Sequence, residues 1–177
     1  DRHAFIARRG LLRELLSRYE HVPPAQWRFE TNPYGRPGIA APEPDNPLEF
    51  NLSHSAAHVV CALAQTPHLG IDVEARVPAD FLDVAHRFFS ARDQQALLAT
   101  PVPAQPDYFL ALWTLKEAFV KGLGTGFSTP LNAFSLLPED GGGASLEQDA
   151  HDPAGEHWHF RHRRLEDGSR LALAIRL

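Results

Sequence analysis

An α+β fold is predicted by three features of this 177-residue chain. Apolar residues recur at helical spacing near the start and again between residues 107 and 121. Short strand-like runs stand between and after those helices. Breaks rich in Pro and Gly separate the elements, and no fixed short repeat links them, although a helix-then-strands order occurs in each half.

The first element is an amphipathic helix over residues 3–19, with Phe5, Ile6, Leu11, Leu12, Leu15 and Leu16 expected on its core face among interleaved arginines. Val22-Pro23-Pro24 ends it, and Trp27–Glu30 reads as a short strand. Asn32–Pro47 is dense in Pro, Gly and Asn and is expected to be an ordered loop with little regular structure. Phe50–Ser53 and Val59–Ala64 read as two strands joined by a tight turn near Ser55–Ala57, and Leu69–Glu74 as a third. Phe81, Val84, Ala85 and Phe88 then recur at helical spacing. Ser90 with Asp93 is a helix start signal before Gln94–Ala99, and Thr100–Pro106 is a break. Asp107–Lys121 is the longest predicted helix, ending at Gly122 and Gly124. Ala133–Leu137, Trp158–Arg163 and Arg170–Ile175 are expected strands, with a flexible connection from Gly141 to Gly155.

Composition narrows the function classes. An apolar fraction of 44% with 22% charged residues is that of a globular chain rather than a disordered one. No apolar run approaches the roughly 18 residues that span a bilayer, and the start does not read as a signal peptide. Cys61 is the sole cysteine, which excludes an intrachain disulfide and agrees with a cytoplasmic location. The formal net charge of −5 argues against general nucleic-acid binding. Residues 1–68 carry seven basic and seven acidic side chains and residues 69–177 ten and fifteen, so an acidic site is expected in the second half. The first residue is Asp1 rather than Met, and a preceding native segment is expected.

Three motifs carry candidate chemistry. In Gly70-Ile71-Asp72-Val73-Glu74, strand alternation puts Asp72 and Glu74 on one face, where two like charges repel unless a cation lies between them. Such oxygen ligands suit Mg²⁺; alternatively, both acids sit in water at the end of a strand. In Trp113-Thr114-Leu115-Lys116-Glu117-Ala118-Phe119-Val120-Lys121, positions four apart place Trp113, Glu117 and Lys121 on one stripe. An ordinary Glu–Lys surface pair fits poorly with so apolar a helix. In Phe50-Asn51-Leu52-Ser53-His54-Ser55, adjacent Ser53 and His54 face opposite ways and do not make a nucleophile–base pair, but hydroxyl, imidazole and backbone N–H groups together can hold a phosphate. Tyr34-Gly35-Arg36-Pro37 presents an arginine on a glycine turn, well shaped for phosphate.

Taken together and in this order, F-N-L-S-H-S, G-I-D-V-E and W-T-L-K-E-A-F-V-K-G-L-G-T-G resemble the surfactin-type 4′-phosphopantetheinyl transferases. Y-G-R-P is similar to that family's G-K-P element, with Arg36 for the usual lysine, and R-F-F-S at Arg87–Ser90 fits as well. The resemblance runs from about residue 1 to Phe134 and is not diagnostic beyond it; the family's first strand has no counterpart here.

The resemblance implies a pseudo-twofold arrangement of two similar α+β halves, 1–68 and 69–177, with coenzyme A between them. It implies that Asp72, Glu74 and Glu117 hold Mg²⁺ against the pyrophosphate, that Ser53, His54 and Arg36 bind the nucleotide end with its 3′-phosphate, and that Lys121 contacts the pyrophosphate. The implied activity is transfer of 4′-phosphopantetheine to a serine of an apo acyl or peptidyl carrier protein by a monomer, with Lys121 assisting the departing phosphate. Glu117 or a metal-bound water would act as base.

Two other readings stand beside it. A non-catalytic coenzyme A or nucleotide-binding module would keep Arg36, Ser53 and His54 without needing all three acids. A zinc site on His157, His159 and His162 lacks a Cys or acidic partner in any recognisable pattern. A carrier is expected to dock over Phe81–Phe89 and Gly124-Thr125-Gly126-Phe127, with Arg87 and Arg92 at the rim, although two or more of Phe81, Phe88 and Phe89 are expected to be core.

Overall fold

The chain is described by a computed structural model covering residues 2–148 and 158–177. Helix α1 (Arg2–Tyr19) lies on the first core through Leu12 and Leu16, one turn apart, which meet Trp27 and Phe50 with Cys61 and Leu63 at the margin. Arg13 fastens it by donating to the carbonyls of Pro24 at 2.7 Å and Trp27 at 2.8 Å, and the Trp27 indole donates to Ser17 Oγ at 3.0 Å. Ile6, expected in the core, is 56% exposed, because the buried cluster begins only at Leu12; the side chain of Phe5 lies outside the described residues.

Strands β1 (Arg28–Thr31) and β2 (Pro37–Ala41) form an antiparallel hairpin. This corrects the expectation that residues 32–47 lack regular structure. Asn32 Oδ1 accepts from the backbone N–H of Tyr34 and of Arg36, each at 2.9 Å, and Gly35 takes φ +82°, so side chain and glycine together build the turn. Pro37 is tolerated as the first residue of a strand in a two-stranded ribbon. Strands β3 (Glu49–Ser55) and β4 (His58–Ala64) form a second hairpin in the expected place, closed by Ala56 and Ala57, with Ala56 at φ +49°.

The second half is built on the antiparallel sheet β5–β9–β8, from β5 (Leu69–Glu74), β8 (Trp158–Arg164) and β9 (Arg170–Arg176). Helix α2 (Phe81–Phe88) and helix α3 (Ala91–Ala99) join Phe109 and Leu112 in an aromatic-rich core with Phe89. Ser90 and Asp93 make a reciprocal capping box at the start of α3. Helix α4 spans Gln105–Leu123, two residues beyond its expected limits at each end, and Gly124 closes it in the left-handed conformation at φ +71°.

Gly122 is inside the helix rather than at its end. A Cβ there would stand 2.8 Å from the Trp158 ring, and one on Gly70 would stand 1.9 Å from the Ala118 carbonyl oxygen. These two glycines let α4 lie directly on β5. Helix α4 also packs Leu115, Phe119 and Val120 against Phe134, Leu136, Phe160 and Ala174.

Strands β6 (Phe134–Pro138) and β7 (Ala144–Gln148) pair antiparallel, which corrects the flexible connection expected from Gly141 to Gly155 as far as Gln148; the rest of that stretch lies outside the described residues. Gly141 and Gly142, at φ +88° and +86°, are the turn of that hairpin. Expected residues of the zinc alternative are dispersed: His159 and His162 occupy opposite faces of β8 by strand parity, and His157 lies outside the described residues.

Lys116, a charge in an otherwise apolar helix, has a structural role. Its Nζ is 2.6 Å from Asp93 Oδ2, both side chains are fully buried, and it also donates to the carbonyls of Leu131 and Phe134. Asp93 further accepts from Leu136 N–H at 3.1 Å and from Ser90 N–H and O–H, tying α3, α4 and β6 at one point.

Candidate active site

The two halves meet along a seam between β3 and β5. Strand β5 pairs with β9 on one side, and β3 pairs with β4, so the N–H groups on the free side of β5 need other acceptors. Alternate side chains of β3 supply them. Asn51 Oδ1 accepts from Ile71 N–H at 2.9 Å, Ser53 Oγ from Val73 N–H at 3.4 Å, and Ser55 Oγ from Ala75 N–H at 3.1 Å. The N-x-S-x-S spacing of β3 is thus a side-chain ladder along one strand face.

The acids of β5 hang on the same ladder. Ser53 Oγ donates to Asp72 Oδ1 at 2.7 Å, and Ser55 Oγ donates to Glu74 Oε2 at 3.0 Å. From α4, Lys121 Nζ reaches Asp72 Oδ1 at 2.6 Å, Ser53 Oγ at 3.0 Å and the Ile71 carbonyl at 3.4 Å. The Asp72 side chain is 3% exposed, and its Oδ2 is buried with no hydrogen-bond partner among the described residues.

Electrostatics report the same crowding. Burial raises the Asp72 pKa above the ordinary carboxylate value, and the pairing with Lys121 offsets this without reversing it. Glu74 is raised by burial and then by the charge of Asp72, with Ser55 acting in the opposite sense. Glu117 is raised by burial, then by Asp72, with Lys121 opposing and Glu74 adding. Three carboxylates therefore share one field with a single lysine between them. Among the described residues, no set of three or more His, Cys, Asp and Glu side chains forms a ready-made metal cage. The donor set nevertheless fits a hard cation: all its atoms are oxygens, one is orphaned, and the accumulated negative charge is what a divalent ion relieves.

A cleft of about 560 Å³ opens beside these groups, lined among others by Arg87, Phe88, Trp113, Glu117, Val120 and Lys121. The stripe read from helical spacing, Trp113–Glu117–Lys121, faces it as a unit. Of the aromatic residues considered for docking, Phe89 is core, Phe81 packs against the core, and Phe88 is 38% exposed at the cleft. Arg92 pairs with Glu147 on the surface, and the side chain of Phe127 lies outside the described residues.

The structure brings Ser53, Asp72, Glu74, Glu117 and Lys121 together, with Arg36 on the backbone beside Lys121 and His54 on the opposite face of β3. Arg36 Nη1 donates to the carbonyls of Lys121 at 2.6 Å and Gly122 at 3.3 Å, and Nη2 to that of Leu69 at 3.1 Å. It braces the end of α4 against the glycine turn. His54 is exposed on the other face of β3, with Nδ1 3.3 Å from Arg8 Nη1; partial burial, then Arg8 and Lys121, lower its pKa.

Ser53, expected at the nucleotide end beside His54, has its proton engaged by Asp72 and its lone pairs by Lys121 and Val73 N–H. Sequence reasoning missed Asn51 and Ser55 in the ladder, for which the alternate spacing was the available signal, and missed Asp93 as the partner of Lys116.

The described fold has counterparts among solved structures. It is similar to the holo-[acyl-carrier-protein] synthase of Thermotoga maritima, with a TM-score of 0.50 and 23% identity over 62% of each chain. It is similar also to that of Bacillus anthracis, solved in complex with CoA (3′,5′-ADP), with a TM-score of 0.51 and 17% identity over 62% of this chain and 94% of that one.

A sequence profile of the 4′-phosphopantetheinyl transferase superfamily matches residues 68–175, and the chain belongs to that superfamily. It is 40% identical over 155 residues to the 4′-phosphopantetheinyl transferase Sfp of Bacillus subtilis. It is 41% identical over 159 residues to the 4′-phosphopantetheinyl transferase of Bacillus pumilus. In both cases the match covers 86% of this chain and 66% of the relative, so the chain spans just under two thirds of the length of these curated relatives.

Proposed function

We propose that this chain transfers 4′-phosphopantetheine from coenzyme A to a serine hydroxyl of an apo acyl or peptidyl carrier protein, releasing adenosine 3′,5′-bisphosphate. The observation that carries the reading is the convergence of Asp72 and Glu74 from β5 with Glu117 and Lys121 from α4, at a cleft, around a buried oxygen of Asp72 with no hydrogen-bond partner among the described residues. The names of the relatives supply the reaction class. On this reading the halves 1–68 and 69–177 are the two similar halves of a pseudo-twofold fold, with the donor held between them.

Asp72, Glu74 and Glu117 would hold Mg²⁺ together with the pyrophosphate of the donor. When bound, the ion would neutralise the two phosphates and keep them aligned for in-line displacement. The rest falls to the protein's own groups. The carrier serine oxygen forms a bond to the phosphorus bearing the pantetheine as the bond from that phosphorus to the leaving adenosine 3′,5′-bisphosphate breaks. Glu117, which lines the cleft, accepts the serine proton.

Lys121, 29% exposed, lies at the cleft where its ammonium can compensate charge on the departing phosphate. His54, with Arg8 and Lys121 nearby, stands in a field that attracts an anion and is assigned the 3′-phosphate. Arg36 contributes by holding the end of α4, and its charge adds to that field.

The carrier is placed over the cleft mouth, with exposed Phe88 and Arg87 as contacts. A monomer suffices, since one chain supplies every group named. Among the described residues no helix is long and apolar enough to cross a membrane, and with Cys61 as the sole cysteine we assign the protein to the cytoplasm.

The test is mass spectrometry of apo acyl and peptidyl carriers incubated with the protein, coenzyme A and Mg²⁺. A mass gain of one phosphopantetheine per carrier, abolished by a chelator, is expected. Coenzyme A binding with no gain on any carrier would return the chain to a non-catalytic binding module.

A further inference from the structure

The two acids of β5 are not aimed by their own strand alone. Ser53 and Ser55, two residues apart on β3, make the same double contact with two acids that are also two residues apart. Each hydroxyl accepts the N–H of the residue after the acid, Val73 at 3.4 Å and Ala75 at 3.1 Å. Each donates to the carboxylate itself, Asp72 Oδ1 at 2.7 Å and Glu74 Oε2 at 3.0 Å. A hydroxyl has one proton, so once its oxygen is fixed by the backbone N–H the proton has a defined direction, and the carboxylate that takes it loses torsional freedom.

The two acids are not equally dependent on this contact. Asp72 is held a second time by Lys121 at 2.6 Å on the same oxygen and is almost completely buried. Glu74 has a longer side chain, stands at the end of β5 and is partly exposed, and Ser55 is the hydrogen-bond partner the structure gives it. A glutamate with one more rotatable bond and no lysine clamp gains the most from an outside donor.

We propose that Ser55 is a positioning residue that orients Glu74 as a ligand-bearing carboxylate, so that strand β3 of the first half sets the geometry of the acid site on β5. The inference rests on the proposed metal role of Glu74. Loss of a hydrogen bond that orients a ligating side chain lowers metal affinity by about 10–100-fold in comparable sites. A purely structural Ser55, serving only the Ala75 N–H, would change stability without changing metal affinity.

The experiment measures Mn²⁺ affinity by electron paramagnetic resonance on the full chain without substrate, for wild type, Ser55→Ala, Ser55→Thr and Glu74→Gln, with thermal melting of each in chelator. The expected result is weaker Mn²⁺ binding in Ser55→Ala by about tenfold or more, recovery in Ser55→Thr, which keeps the hydroxyl on a strand that tolerates branching, and loss in Glu74→Gln. Unchanged affinity in Ser55→Ala, alongside clear loss in Glu74→Gln, overturns the positioning role and leaves the metal role of Glu74 standing. Wild type and Glu74→Gln binding Mn²⁺ equally overturns the metal role of Glu74 and this inference with it. Weakened binding in Ser55→Ala in a protein that modifies no carrier would sink the proposed reaction while upholding the inference.

Discussion

Replacing Lys116 by Met should destabilise the protein by about 3 kcal/mol, at the lower end of the 3–5 kcal/mol typical of breaking a buried ion pair. Both side chains of the pair are fully buried and 2.6 Å apart, so no solvent can replace the ammonium. Methionine fills nearly the same volume, and a cavity term is therefore small. The cost is the carboxylate of Asp93 left without a counter-charge, together with the carbonyls of Leu131 and Phe134 left without this donor.

That cost falls at the low end because Asp93 retains three donors, the N–H of Leu136 and the N–H and O–H of Ser90. For a chain of this size, about 3 kcal/mol corresponds to a melting-temperature drop of about 6–12 °C. Urea unfolding and thermal melting are the assays, and the double variant Asp93→Asn with Lys116→Met should recover part of the loss, because it removes both charges while keeping an acceptor oxygen for the Leu136 and Ser90 donors. A single variant within 1 kcal/mol of wild type, or a double variant no better than the single, would refute this account of the pair.

Glu117→Gln should abolish transfer yet raise the melting temperature in chelator. Its folded-state pKa is raised, so the native state binds the proton more tightly than the unfolded chain, and the associated stability is present below about pH 4 and lost as pH climbs through the raised value. The advantage of the variant should thus grow from pH 4 to pH 7; a constant or shrinking gap contradicts the sign. His54→Ala should raise the KM for coenzyme A by about ten- to a hundredfold, with a much smaller effect on dephospho-coenzyme A, whereas Arg36→Ala should affect both donors alike; equal discrimination by wild type and His54→Ala removes His54 from the 3′-phosphate. Gly70→Ala places a Cβ 1.9 Å from the Ala118 carbonyl oxygen and should cost more than the about 1–3 kcal/mol of side-chain overpacking, since two backbones must part; stability within 0.5 kcal/mol of wild type by urea unfolding would show that α4 and β5 are not so closely apposed. Cys61, its thiol pushed up to about 11 by burial, should react with iodoacetamide at pH 8 about a hundredfold more slowly than a free cysteine and become normal in urea; reaction at the free rate in native buffer is the contrary result.

Features governed by the chain's own periodicity are legible in the amino-acid order alone. Strand alternation puts Asp72 with Glu74 and separates Ser53 from His54, and the helical repeat puts Trp113, Glu117 and Lys121 on one stripe. The capping box at Ser90 and Asp93 and the left-handed Gly124 are equally local, each a matter of a few bonds. Hairpins β1–β2 and β6–β7 are only half legible. Pro37 and the Gly141–Gly143 run depress strand propensity, and the partner strand that stabilises β2 or β7 lies outside any short window.

By itself, then, the sequence determined the α+β class and the shared face of the β5 acids, because these depend on repeats of 2 and 3.6 residues along one strand or helix. Only the tertiary structure decided which hydroxyl serves which acid and which cation serves which carboxylate. Ser53 meets Asp72 across 19 residues, Lys121 meets the same acid across 49, and Asp93 meets Lys116 only because α3 and α4 share a core. Those pairings are set by how closely β5 can approach α4 at Gly70 and by which acceptors the unpaired edge of β5 finds on β3. Neither is a property of any single segment.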